Sequence, residues 1–205
     1  NKKTTINLNV FKSLFENDLN FIKDQEITFE TKNKFSFKTQ KGKIGGLEYT
    51  SQIDLKNISL SPENNLLKKY FNNYNNSILL KNNSIKLKYE NKNLNIKGES
   101  DYSFDTSFDK IEYKINKKKD NYDFLTLINF DNNPIKIKLI NYSKEKNKKS
   151  NLKLKGSYNK NKVKLNEIIY NEGQNFFEVR DLNLNNNFKI VDINKVKVDY
   201  LNENN

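Results

Sequence analysis

Asp101, Asp105, Asp109 and Glu112 make a dense run of carboxylates, interleaved with Tyr102, Phe104 and Phe108. Two converging carboxylates could divide acid and base work in polymer hydrolysis, and alternating acids could wrap a calcium ion. The run lacks the glycine and the closing glutamate of an EF-hand loop, and no second catalytic group accompanies it. Charged outward positions on strands are the plainer reading, with a hydrolase working through Asp101, Asp105 or Asp109 as a rival. Lysine is the other chemically active type: Lys86/Lys88, Lys136/Lys138, Lys153/Lys155 and Lys162/Lys164 alternate with other residues. Such pairs could hold phosphate, on nucleic acid or on an anionic lipid surface. Nucleic-acid readers usually add arginine forks and stacking aromatics. Here Arg180 is the only arginine, and most aromatics fall on the apolar side of the pattern. No nucleic-acid partner is expected, and lysine on a solvated sheet face that resists edge-to-edge aggregation suffices.

What the chain lacks narrows the field. Histidine, cysteine, methionine, tryptophan and alanine are absent. That removes a disulfide framework, a thiolate nucleophile, thiolate or imidazole metal ligation and a histidine base. No cofactor and no catalytic residue is expected. Asn, Lys, Ile, Phe and Tyr dominate, as in an AT-rich genome, so the net charge of +12 partly reflects lysine as the default polar residue. Gly42, Gly45 and Gly46 precede no helix of the phosphate-binding kind and read as turn or bulge glycines. Asn-X-Ser patterns at Asn57, Asn75, Asn82 and Asn141 are expected by chance in so Asn-rich a chain.

The elements that must position these side chains are strands. In the stretch from Pro134 to Asn141, Ile135, Ile137 and Leu139 point one way from an extended chain, and Lys136 and Lys138 the other. The same period of two returns around Ile85, Ile111, Leu152, Val163 and Val196. Hydrophobic residues are only 35% of the chain, but a sheet needs only one apolar face, and the regular alternation argues for order. Strands are expected over residues 4–10, 78–80, 84–90, 94–98, 110–116, 122–130, 134–142, 151–158, 162–170, 176–184 and 195–201. A hairpin about Lys32-Asn33 should join 26–32 to 34–39. Residues 11–23 suit either a short amphipathic helix or a pair of strands. Ser61-Pro62-Glu63 is a good helix start, with Leu66, Leu67, Tyr70 and Phe71 as the apolar face of a helix of two to three turns. Polar joints rich in Asn and Gly separate the later strands.

The predicted fold is therefore mainly β: a long curved antiparallel sheet, as an open groove or a partly closed sandwich, with one or two short helices. Residues 1–205 read as a single β-rich segment, with a sub-boundary near 61–76. A start at Asn1-Lys2-Lys3 without methionine suggests an internal piece of a longer protein. The apolar stripe comprises Ile85, Leu87, Ile96, Ile111, Tyr113, Ile115, Phe124, Ile128, Ile135, Ile137, Leu139, Leu152, Leu154, Val163, Leu165, Val196 and Val198. In a closed domain it forms an ordinary core; in an open curved sheet it lines a groove for acyl chains. Periodicity alone leaves both open.

The order of elements resembles the AsmA-like superfamily of periplasmic β-groove proteins, which includes TamB and YhdP, and within it proteins of AT-rich alphaproteobacteria. The resemblance is carried by Glu26-Ile27-Thr28-Phe29-Glu30, Phe35-Ser36-Phe37, Ile53-Asp54-Leu55 and Leu66-Leu67-Lys68-Lys69-Tyr70-Phe71. It continues through Ile85-Lys86-Leu87-Lys88-Tyr89, Leu152-Lys153-Leu154-Lys155-Gly156, Phe177-Glu178-Val179-Arg180-Asp181-Leu182-Asn183-Leu184 and Phe188-Lys189-Ile190-Val191-Asp192-Ile193. It implies a segment of an inner-membrane-anchored envelope protein that spans the periplasm and supports phospholipid movement or outer-membrane homeostasis. The implied partners are phospholipid and, through other parts of the parent chain, the membrane. It supplies no catalytic residues.

Overall fold

The computed structural model describes residues 3–8, 21–40, 43–62, 65–138, 141–159, 162–185 and 187–199. Alternation in the sequence becomes strand β1 (Thr4–Asn7), β2 (Glu26–Gln40), β3 (Lys43–Leu60), β4 (Ile78–Glu90), β5 (Asn93–Ser103), β6 (Asp109–Lys118) and β7 (Asn121–Asn129). There follow β8 (Ile135–Ile137), β9 (Tyr142–Lys144), β10 (Asn151–Asn159), β11 (Lys162–Glu172), β12 (Asn175–Leu184) and β13 (Ile190–Asp199). Eleven of these form one antiparallel sheet in the order β1-β2-β3-β4-β5-β6-β7-β10-β11-β12-β13, while β8 and β9 pair only with each other. The sheet is a meander whose edges β1 and β13 do not pair, so of the two arrangements that the strand pattern leaves possible it takes the open one.

Four expectations change. The hairpin about Lys32-Asn33 does not form: β2 runs straight through it, paired along its length with β3. Asn33 serves as a cross-strand acceptor, taking hydrogen bonds from Ser51 Oγ at 2.7 Å and Tyr49 OH at 2.9 Å. Asn82-Asn83 is not a joint but a bulge inside β4, where the register with β5 shifts between Lys81 and Ser84. Asn82 takes the left-handed conformation at φ 52°, and Asn83 is tied to Leu55 O and Ser100 Oγ. The helix after Ser61-Pro62-Glu63 is a 3₁₀ turn, Asn65–Lys69. So short a run ends at Asn72-Asn73 before an α-helix can repay its nucleation, and the packing of Phe71 and Tyr74 fixes the chain instead. The long strand expected over 134–142 is the small β8–β9 hairpin, lying off the main sheet. Residues 9–20, including most of the ambiguous 11–23 segment, lie outside the described residues, as does Leu139.

Long connections follow β3 and β7 at one end of the sheet, although β11 and β12 are joined there by a two-residue turn at Gly173-Gln174. At the opposite end the connections are tight. Asn91 and Lys92, both at positive φ (51° and 62°), join β4 to β5 as a type I′ turn, and Lys119 at φ 55° begins the turn between β6 and β7. At the first end the segments after β3, β5 and β7 fold back over the sheet as a plug. Phe71, Tyr74, Phe104 and Phe130 from these connections meet Tyr102 of β5, Ile135 of β8, Tyr142 of β9 and Tyr170 of β11 in one buried cluster. The Phe71–Phe104 and Phe71–Phe130 ring centroids lie 4.6 and 5.4 Å apart. Leu80, Ile111, Ile128, Leu152 and Phe177 of the sheet pack beneath it. The contributing strands run from β4 to β12, about 30 Å if flat, so the sheet curls around the plug at that end.

Candidate functional site

In an antiparallel sheet directly paired residues point to the same face. The registers therefore lay the apolar stripe out as rows running across the strands. The outermost, at the tight-turn end, is Phe35, Tyr49, Tyr89, Leu94, Lys117, Tyr122, Tyr158 and Val163. The second is Ser51, Leu87, Ile96, Ile115, Phe124, Gly156, Leu165, Leu182 and Ile193. A third carries Ile53, Ile85, Gly98, Tyr113, Thr126, Leu154, Ile168, Val179 and Val196. The fourth, at the plug, includes Ile111, Ile128, Leu152, Tyr170, Phe177 and Val198.

Every stripe residue on the main sheet thus lies on one face, but in two environments. Ile111, Ile128 and Leu152 pack against the plug. Ile85, Leu87, Ile96, Tyr113, Ile115, Phe124, Leu154 and Leu165 are partly exposed and belong neither to this cluster nor to a second, smaller core of Leu8, Ile22 and Ile58. Val163 is buried at the rim, whereas Val196 and Val198 on the edge strand are exposed. Ile135 and Ile137 lie in the covering hairpin, with Ile135 only 7% exposed. The second and third rows, about 7 Å apart, form an apolar trough open at the turn end and stopped at the plug.

Two glycines shape its floor. Gly98 pairs with Tyr113 and Gly156 with Phe124, and a Cβ at either position would come within 3 Å of the paired ring. Each ring lies across the neighbouring strand over the space that a side chain would take.

The carboxylates do not converge. Asp101 is on the opposite face, paired with Lys110, and accepts a bond from Asn82 Nδ2 at 2.7 Å. Asp105 caps its own turn through the Thr106 and Ser107 amides; the Ser107 bond leads in holding its carboxyl below the usual range. Asp109 is buried and anchors the plug. It accepts from the amides of Asn132 (2.9 Å) and Asn133 (3.0 Å) and from both their side chains. Glu112 is exposed on the outer face. Among the described residues no group of three acids stands close enough to hold a metal ion.

The lysine pairs on the sheet face outward. Lys88 meets Glu90, Lys153 meets Glu167 and Lys164 meets Asp181. Arg180 bridges Glu167 and Glu178. The hydrogen bond from Lys153, with Arg180 adding to it, holds the Glu167 carboxyl below its ordinary range. Lys136 and Lys138 are exposed at the plug hairpin. Lys88, Lys153, Lys164 and Arg180 on the outer face are thus each paired with a carboxylate.

Sequence reasoning missed two features. One is the polar knot inside the plug. Lys144, 1% exposed, donates to Asn133 O and Glu145 O at 3.0 Å each. Tyr142 OH donates to Glu172 and shares a 2.8 Å bond with Tyr170 OH. The other is the rim row of Tyr49, Tyr89, Lys117, Tyr122 and Tyr158. Lys117 Nζ stands 5.0 Å from the Tyr122 ring centroid, and the Tyr122 and Tyr158 rings are 6.1 Å apart. Each of these tyrosines except Tyr49 sits within three residues of a tight turn, which is the pattern that could have revealed the row.

No family model, curated protein or solved structure matches the chain. Among the described residues no helix is long and apolar enough to cross a membrane.

Proposed function

We propose that the chain is a non-enzymatic, lipid-contacting segment of a cell-envelope protein, in which the open trough holds phospholipid acyl chains while the charged outer face meets water. The observation that carries this reading is the two-row apolar surface of an open sheet, left uncovered beside a plug that closes only one end. Transfer of a lipid needs no bond to break. An apolar wall removes acyl surface from water at about 0.8 kcal/mol per buried CH₂, so a trough lowers the cost of moving a tail between membranes. The periplasmic setting, inner-membrane anchorage of the parent chain and an AsmA-like role in outer-membrane homeostasis belong to the same proposal and follow from the resemblance alone.

A second reading, a structural or adhesion-type β domain, draws on the dry cluster at the plug end. The two separate on lipid content. Protein purified without detergent should carry phospholipid detectable by native mass spectrometry, and Leu154→Glu should strip it while leaving the melting transition cooperative. Lipid-free wild-type protein that is fully folded would favour the structural reading.

A further inference from the structure

The tight-turn end carries a second surface, separate from the trough floor. β3 pairs with β4 only from Glu48 onward, and β1 covers β2 only from Glu26 to Phe29. The β2–β3 hairpin therefore projects past its neighbours. On this projection Phe35 is 69%, Phe37 52% and Leu47 48% exposed. The register puts Phe35 on the trough side, in the tyrosine row, and Phe37 and Leu47 stand beside it at the bulge between Ser36 and Lys38. Charge at this end is one-sided. On the hairpin Lys32 and Lys34 are exposed on either side of Asn33. Exposed Lys92, Lys118, Lys119, Lys162 and Lys189 flank the turns, against Glu48, Glu90 and Asp120, and Glu90 is already paired with Lys88.

Large apolar side chains on a projecting hairpin, a row of tyrosines beside them and a surplus of lysine are what an anionic bilayer interface accommodates. The rings enter the acyl boundary, phenols sit among headgroups and ammonium groups meet phosphate. We infer that the turn end of the sheet docks directly on an anionic phospholipid bilayer, with the exposed rings of Phe35 and Phe37 entering the interface from the trough side beside the tyrosine–lysine row. This membrane contact belongs to the described chain itself and not to an anchor elsewhere in a parent protein. The open mouth of the trough then faces the lipid surface.

Tryptophan is absent from the chain, so Phe35→Trp gives a single reporter. Its emission should shift to the blue on vesicles of mixed phosphatidylcholine and phosphatidylglycerol, and brominated acyl chains should quench it. Wild-type protein should float with the mixed vesicles and much less with phosphatidylcholine alone. The F35S/F37S double variant, whose sites are exposed and outside both cores, should melt like the wild type and lose roughly tenfold or more in vesicle partition. Unshifted emission, absence of wild-type flotation on mixed vesicles, or flotation of the double variant equal to wild type would each overturn the inference. These readouts report on the hairpin alone, whether or not an acyl chain co-purifies in the trough.

Discussion

Raising the pH should unfold this protein through the phenols of its plug. Tyr102, Tyr142 and Tyr170 are 4%, 7% and 8% exposed, and burial leads the causes that push all three hydroxyls above the ordinary value of 10.0. Tyr102 OH donates to Asn129 O at 2.6 Å and Tyr142 OH to Glu172, so ionisation also removes a donor from each bond. An acid whose folded pKa is raised gives its full contribution below the unfolded pKa and loses it as pH rises further. Each phenol that ionises only after unfolding costs about 1.4 kcal/mol per pH unit above 10, and three together about 4 kcal/mol per unit. Lys144 has the opposite sign. Burial pulls its ammonium below 10.5, so rising pH favours the fold until that value is passed, and nothing further is gained beyond it. A fold stable by about 5–15 kcal/mol should then collapse between about pH 11 and 13.5. Phenolate absorbance and far-ultraviolet circular dichroism, followed together, are the assay. The buried set should ionise late, in one step with the loss of dichroism. If every tyrosine ionised in a single transition near 10 with the dichroism unchanged, the plug would not be a dry core.

Asp109→Ala leaves the Asn132 and Asn133 amides and the Asn133 side chain without their acceptor. Its cost should be about 3–5 kcal/mol, read as a lower urea midpoint. The two floor glycines should respond unequally. At Gly98 the obstruction is the far end of the Tyr113 ring, which can swing away, and Gly98→Ala should cost under about 1.5 kcal/mol. At Gly156 the obstruction includes the Lys164 carbonyl beside a bulge, so Gly156→Ala should cost about 1–3 kcal/mol, and the same denaturation series ranks the two.

The meander was legible because alternation is a local property, and the polar joints at Asn91-Lys92 and Lys119-Asp120 declare themselves through residues suited to tight turns. Long-range choices were not legible. Lys32-Asn33 and Asn82-Asn83 look like turns in isolation. They remain in strands because Ser51, Tyr49, Leu55 and Ser100 on neighbouring strands use their side-chain groups. Ile135-Lys136-Ile137 has the same pattern as Ile85-Lys86-Leu87, yet one covers the sheet and the other is part of it. What separates them is the length of the connection after β7, which lets the chain fold back. The stripe could be read as core or as groove, and it is divided between the two. Ile111, Ile128 and Leu152 are packed under the plug, while the two middle rows are open, a distinction that depends on which connections fold back.

The central claim is that the trough, and not apolar surface in general, contacts lipid. Photo-crosslinking side chains placed in cells at Leu87 and Leu154 test it against two controls. Ile135 is apolar but buried in the plug, and Leu127 is 42% exposed on the opposite face. Phospholipid captured at Leu87 and Leu154, and at neither control, is the predicted result. Equal capture at Leu127, or none at Leu154 in folded protein, would contradict the account.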